Sequence, residues 1–148
     1  MKIERFEDIE CWKLGRELTA RVYGVTREGE FRSDYGLRDQ IQRAAGSVMH
    51  NVAEGFDGGS NAEFAKFLRY AQRSCTEVQS QLYVALDQSY IPQEQFAELY
   101  ELARRTRATI GAFIKYLLNY EAARRHRHLS TKNQEPRTQN QEPPTKNP

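Results

Sequence analysis

Only two cysteines, Cys11 and Cys75, occur in the 148 residues, and they form no C-x-x-C pair. That excludes a disulfide framework and a thiolate zinc site, and places both thiols as small apolar side chains within helices. Long apolar runs are missing, as is a charged leader followed by an apolar stretch, so the expectation is a cytoplasmic protein without membrane contact. Glu-x-x-His, the ligand pattern of di-iron bundles, is absent: His50 follows Ser47 at that spacing, and His126 and His128 lie near the C-terminus. No G-x-S-x-G elbow exists, Cys75 has no histidine partner on a neighbouring segment, and the glycine-rich Gly55 to Ser60 lacks the lysine of a phosphate loop. These absences leave no reaction to assign. The expectation is a non-enzyme with no cofactor and no metal.

Charge of one sign is scarce in most of the chain. Residues 1–123 hold 16 Lys and Arg against 18 Asp and Glu, a net of −2, whereas 124–148 hold 6 against 2, a net of +4. The basic balance therefore comes from the C-terminal stretch, and any nucleic-acid reading must rest on local patches. A chain of this length suits one domain with one core.

What the sequence does have is helical periodicity. In Tyr35 to Phe56, Leu37, Ile41, Ala45, Val48 and Val52 recur at three- and four-residue steps and share one face of a helix. Ala44, Ala45 and Gly46 leave room for a neighbouring helix. Trp12, Leu14, Leu18, Val22 and Val25 mark an earlier amphipathic helix, weakened by Gly15 and Gly24 unless close packing recovers the loss. Asp8 is expected to cap it and Gly29 to end it; Gly29 to Ser33 reads as a polar link, with Ser33 or Asp34 capping the next helix. Ser60 and Glu63 form a capping-box pattern ahead of a third helix, whose seam runs through Leu68, Ala71, Cys75, Val78, Leu82 and Ala85. Pro92 stops that helix and opens a fourth, carried by Phe96, Leu99, Ala103, Thr106, Ile110, Phe113 and Leu117. The spacing predicts an all-α, antiparallel up-down four-helix bundle over residues 1–123, with helices at about 8–28, 34–56, 60–90 and 92–121. Residues 124–148, basic and then rich in Gln, Asn and Pro, are expected to form a disordered tail.

Three segments carry a resemblance: FEDIECW (Phe6 to Trp12), GLRDQIQRAAGSVMHNVAEG (Gly36 to Gly55) and EFAKFLRYAQRSCTEVQSQL (Glu63 to Leu82). They resemble the bacterial four-helix-bundle proteins encoded by intervening sequences in 23S ribosomal RNA genes, a family similar in turn to the accessory variability determinant of diversity-generating retroelements. The resemblance covers about residues 3–120. It implies a homopentameric, barrel-like ring; the retroelement relative binds nucleic acid and a reverse transcriptase. That relative is strongly basic, which residues 1–123 are not, and the stretch from Arg124 onward has no counterpart in the family pattern.

Two constellations stand out. Gln40, Ser47, Asn51 and Glu54 lie along one edge of the central helix, either as the lining of a pocket or oligomer channel or as a hydrogen-bonded seam between helices or subunits that takes in Glu77 or Arg43. Lys66, Arg69 and Arg73 on the outer face of the third helix, with Arg124, Arg125 and Arg127 beyond the fourth, are the candidate contacts for RNA. Two functions from different classes follow. One is a homo-oligomeric scaffold, with itself as partner and room for a further protein; the other is an RNA-binding module.

Overall fold

The apolar steps of three and four resolve into four α-helices in the structure, a computed structural model that describes residues 2–132. They are α1 (Glu10–Thr26), α2 (Tyr35–Asp57), α3 (Asn61–Asp87) and α4 (Gln93–Lys132), with short 3-10 turns at Phe6–Asp8 and Gly29–Ser33. No strand occurs among the described residues.

Contacts between the helices give their order. Thr19 Oγ1 donates to Ala45 O (3.0 Å) and Gln42 Nε2 to Thr26 Oγ1 (2.9 Å), so α2 runs back along α1. Gly55, near the end of α2, lies against Phe64 and Phe67 at the start of α3, while Ser74 Oγ donates to Ser47 Oγ (3.0 Å) farther along. Tyr83 near the end of α3 meets Phe96 and Tyr100 at the start of α4, and Asn61 Nδ2 donates to Glu121 Oε1 (3.0 Å) at the other end. Each helix is thus antiparallel to the one before it, as short links require.

The predicted seams form one core. Leu18, Val22, Ile41, Val48, Val52, Leu68, Val78, Leu82 and Ile110 are all fully buried, each worth about 1.5–3 kcal/mol of transfer from water. Both cysteines join them, as expected. Gly55 permits the closest approach. A Cβ there would stand 2.7 Å from Phe67 Cβ and 2.8 Å from Phe64 Cδ2. Gly15 is close-packed in the same sense, 3.1 Å from Val48, whereas Gly24 meets nothing within 4 Å and recovers none of its propensity loss by contact.

Helix ends follow local chemistry. Asp34 accepts from Leu37 N (3.1 Å) and caps α2; Ser60 accepts from Glu63 N (3.1 Å) and caps α3, while the reciprocal half of the capping box is not made. Asp8 does not cap α1. It ends a 3-10 turn that brings Phe6 edge-on to Trp12 (centroids 5.1 Å apart) and buries Ile9, which takes the cap position without a side-chain bond. The link at Gly29–Ser33 is less polar in effect than in composition, because Phe31 is fully buried. α3 stops at Asp87, short of Tyr90, in a Schellman motif: Tyr90 N donates to Ala85 O and Ser89 N to Leu86 O, both at 2.9 Å, with Ser89 left-handed at φ 58°.

α4 departs most from the sequence expectation. It continues to Lys132, so Arg124, Arg125 and Arg127 stand on a helix and not in a tail that begins at 124. Ala122, Ala123, Arg124 and Arg125 are strong helix formers, and no Gly or Pro intervenes before Pro136, so a helix already nucleated by packing propagates past its last core contacts. The rest of the expected tail, 133–148, lies outside the described residues.

Candidate functional site

The polar strip on α2 is divided by the packing. Ser47 and Asn51 are half-buried and bonded together, Asn51 Nδ2 donating to Ser47 O (2.8 Å) and Ser47 Oγ (2.9 Å). Ser47 Oγ also accepts from Ser74 on α3, which makes Ser74 its partner across the seam within the chain. Gln40 and Glu54 are exposed. Glu77 instead accepts from Gln81 Nε2 (3.2 Å) on its own helix. Gln81 is only 8% exposed, and its Oε1 has no hydrogen-bond partner among the described residues. The antiparallel register set by Ser47 and Ser74 puts Gln81 level with Gln40, at the far end of the same seam. Ser47, Asn51 and Glu54 face outward with Arg43 and His50 into one open groove.

Lys66, Arg69 and Arg73 are exposed on α3 as expected. Lys66 and Arg73 each lie 6.0 Å from the ring centre of a neighbouring aromatic, Phe67 and Tyr70, a weak cation–π placement on an open surface. Among the described residues no carboxylate pairs with them within 4 Å, and the close ion pairs, such as Arg104 with Glu101, lie elsewhere.

A second charged region lies where α4 passes the beginning of α3. Two grooves share Gly59, Ser60 and Asn61: one continues to Leu118, Glu121, Arg124 and Arg125, the other to Phe113, Tyr116 and Tyr120. Tyr116 is 62% exposed and Tyr120 49%. Phe113 stacks nearly parallel on Tyr116 (6.2 Å, 13°) and meets Phe64 edge-on (5.2 Å), tying the exposed ring to the core. The residues from Ala122 to Lys132 are exposed on every side of the helix. Sequence reading singled out the arginines but missed the tyrosines, although Tyr116, Tyr120 and Arg124 stand at four-residue steps on one side of a helix.

Neither thiol is placed for nucleophilic chemistry. Burial pushes Cys11 and Cys75 up to about 12, with Arg107 only partly opposing the rise at Cys75, so both are protonated near neutrality. Among the described residues no three His, Cys, Asp or Glu side chains gather to hold a metal ion. No helix among them is long and apolar enough to cross a membrane.

A family model described as 23S rRNA-intervening sequence protein matches residues 7–112. Among solved structures, the chain is similar to the crystal structure of a protein with unknown function from the S23 ribosomal protein family of Bacteroides thetaiotaomicron VPI-5482. The identity is 20% and the TM-score 0.65, over 71% of this chain and 98% of that one, a likeness of fold. No curated protein matches. The family match ends ahead of Tyr116, Tyr120, Arg124, Arg125 and Arg127.

Proposed function

This chain belongs to the 23S rRNA-intervening sequence protein family, and on that premise we propose that it is a non-enzymatic, cytoplasmic scaffold, a helical bundle that assembles with copies of itself into a closed ring of five. The observation that carries this reading is a face of α2 and α3 on which bonded polar side chains stay only half-buried within one chain. Ser47, Asn51 and the exposed Tyr70 lie along the same α2–α3 face and supply polar and aromatic contacts typical of an interface. The number five is what the resemblance of the three quoted segments implies; closed rings are the ordinary outcome of a heterologous interface whose rotation closes.

Light scattering after gel filtration tests the reading. The expected mass is five chains, falling to one in Tyr70→Glu with the helical circular-dichroism signal unchanged. A clean monomer at micromolar concentration refutes it.

A second reading, RNA binding, is favoured by the exposed helical placement of Arg124, Arg125 and Arg127 together with the open Lys66, Arg69 and Arg73. It predicts an affinity that falls linearly with salt on logarithmic axes. Lack of any RNA binding at low salt would leave the scaffold alone.

A further inference from the structure

We propose that the surface where α4 passes the start of α3 is a binding site for single-stranded RNA, with Tyr116 and Tyr120 as a stacking platform and Arg124 and Arg125 as the phosphate contacts. The proposal deepens the RNA reading and rests on it, but it names a different place from the outer face of α3.

Exposure is the first observation. Tyr116 and Tyr120 are 62% and 49% exposed, side by side one turn apart, and a tyrosine with that much open ring surface gains little from the fold it sits on. Phe113 backs Tyr116 nearly in parallel and is itself braced against Phe64. The ring is therefore held for stacking, with limited entropy left to lose when a base covers it.

Charge is the second. The stripe of α4 that is buried at Ile110, Ile114 and Leu117 turns polar at Glu121 and then basic at Arg124, about 6 Å beyond Tyr120 along the axis. Arg125 lines the same groove, and the exposed helix goes on through Arg127 to Lys132. Aromatic faces followed by guanidinium groups suit a strand whose bases are unpaired and whose backbone is anionic. A duplex hides its base faces.

Glu121 decides between ligands. Its Oε1 accepts from Asn61 Nδ2 (3.0 Å), so a carboxylate stands in the groove of Arg124 and Arg125, next to the groove lined by the tyrosines. A carboxylate repels a surface of bare anions but accepts hydrogen bonds from hydroxyl groups. Ribose places a 2′-hydroxyl on every residue between phosphates, and deoxyribose does not. The combination favours RNA over DNA and over an anionic lipid surface.

The test is fluorescence anisotropy with the full chain and four probes: a 12-nucleotide oligo(U), oligo(dT) of that length, a 12-base-pair RNA duplex, and phosphatidylserine vesicles in competition. Three variants are compared, Tyr116→Ala/Tyr120→Ala, Arg124→Gln/Arg125→Gln and Lys66→Ala/Arg69→Ala/Arg73→Ala, each first checked for an unchanged helical signal and oligomer mass. The tyrosine pair is expected to weaken oligo(U) binding about tenfold or more with the salt slope preserved, and the arginine pair to flatten that slope by about 1.4, two phosphates at 0.7 each. The lysine–arginine triple variant should weaken oligo(U) binding less than either pair does. Should the tyrosine pair bind as the parent does while the triple variant loses RNA, the site is overturned and the RNA reading survives on α3. Equal affinity for oligo(dT), preference for the duplex, or displacement of RNA by vesicles each overturns the assigned ligand. No binding of oligo(U) at low salt overturns both the site and the RNA reading.

Discussion

Tyr90 Oη donates to Asp34 Oδ2 across 3.0 Å, joining the link between α3 and α4 to the first turn of α2. The other carboxylate oxygen of Asp34 caps α2 through Leu37 N, so one side chain holds two elements whose residues are far apart in sequence. Phe31, fully buried, packs 5.2 Å from the Tyr90 ring and closes the same end of the bundle. Asp34→Ala should lower stability by about 1 kcal/mol or more through the lost cap, and Tyr90→Phe should lower it less. Because the two share a bond, the double variant should fall short of the sum. Denaturant melts of the four proteins measure this; strict additivity would mean the bond contributes nothing. The bond to Asp34 also holds the Tyr90 hydroxyl above its usual value of 10.0. A raised value in the folded state keeps its contribution below pH 10 and loses it as pH rises further.

Ser89 is the residue most clearly at odds with its backbone. At φ 58° it occupies the left-handed position of the Schellman motif that ends α3, where glycine is usual. Ser89→Gly should raise stability by about 1 kcal/mol, the relief of a left-handed side chain. A melting temperature a few degrees higher is the expected outcome, with no change in helix content.

Two glycines should respond in opposite directions to the same substitution. Gly55→Ala drives a methyl group to within 2.7–2.8 Å of Phe67 Cβ and Phe64 Cδ2, contacts that require α2 and α3 to separate. A loss of about 1–3 kcal/mol follows from overpacking. Gly24→Ala meets open space on the exposed side of α1 and should gain up to about 1 kcal/mol of helix propensity. Equal effects in chemical denaturation would contradict the close approach at Gly55.

The buried thiols make a pH prediction with a definite sign. Burial raises Cys11 and Cys75 from an ordinary value of 9.0 to about 12. Below pH 9 both states keep their protons, so nothing changes. Between about 9 and 12 the unfolded chain releases protons that the folded chain holds, and stability falls with rising pH, by at most about 1.4 kcal/mol per unit for each thiol. The parent should therefore lose stability more steeply above pH 9 than Cys11→Ala/Cys75→Ala does. Ellman's reagent at pH 8 should leave both thiols unmodified until guanidinium is added.

Much of this bundle was legible because three-four periodicity over some twenty residues survives any local irregularity: Leu68 to Ala85 is buried residue for residue as the seam predicts. Single positions were not. Phe31 is one aromatic in a polar link and has no period to betray it, and Gln81 becomes notable only when packing removes it from water. Asp8 had the right chemistry for a cap in the wrong register, because the 3-10 turn moved the helix start by one residue. At α4 the abrupt change in composition was read as the end of the helix, yet composition governs burial, while continuation needs only a packed nucleus and no breaker. The arginines were therefore found and their helical setting was missed.

Removing residues 124–148 should leave thermal stability unchanged, although nine of the residues removed are helical in the structure. From Ala122 to Lys132 every side chain is exposed, and the three hydrogen bonds that the serine and threonine hydroxyls make there all return to the same helix. The last deep contacts of α4 are Ile114 and Leu117, with Glu121 still held by Asn61, and all three lie ahead of the cut. A solvated helical turn adds little to the folded state, since its backbone hydrogen bonds only replace those made with water. Circular-dichroism melts of the full chain and the truncated one should agree within about 4 °C, the shift that roughly 1 kcal/mol brings in a domain of this size. The truncated protein should also give the same native mass by light scattering if the α2–α3 face builds the assembly. A larger drop in melting temperature, or loss of the oligomer, would mean that the basic end of α4 docks onto a neighbouring subunit and is not free to meet a ligand.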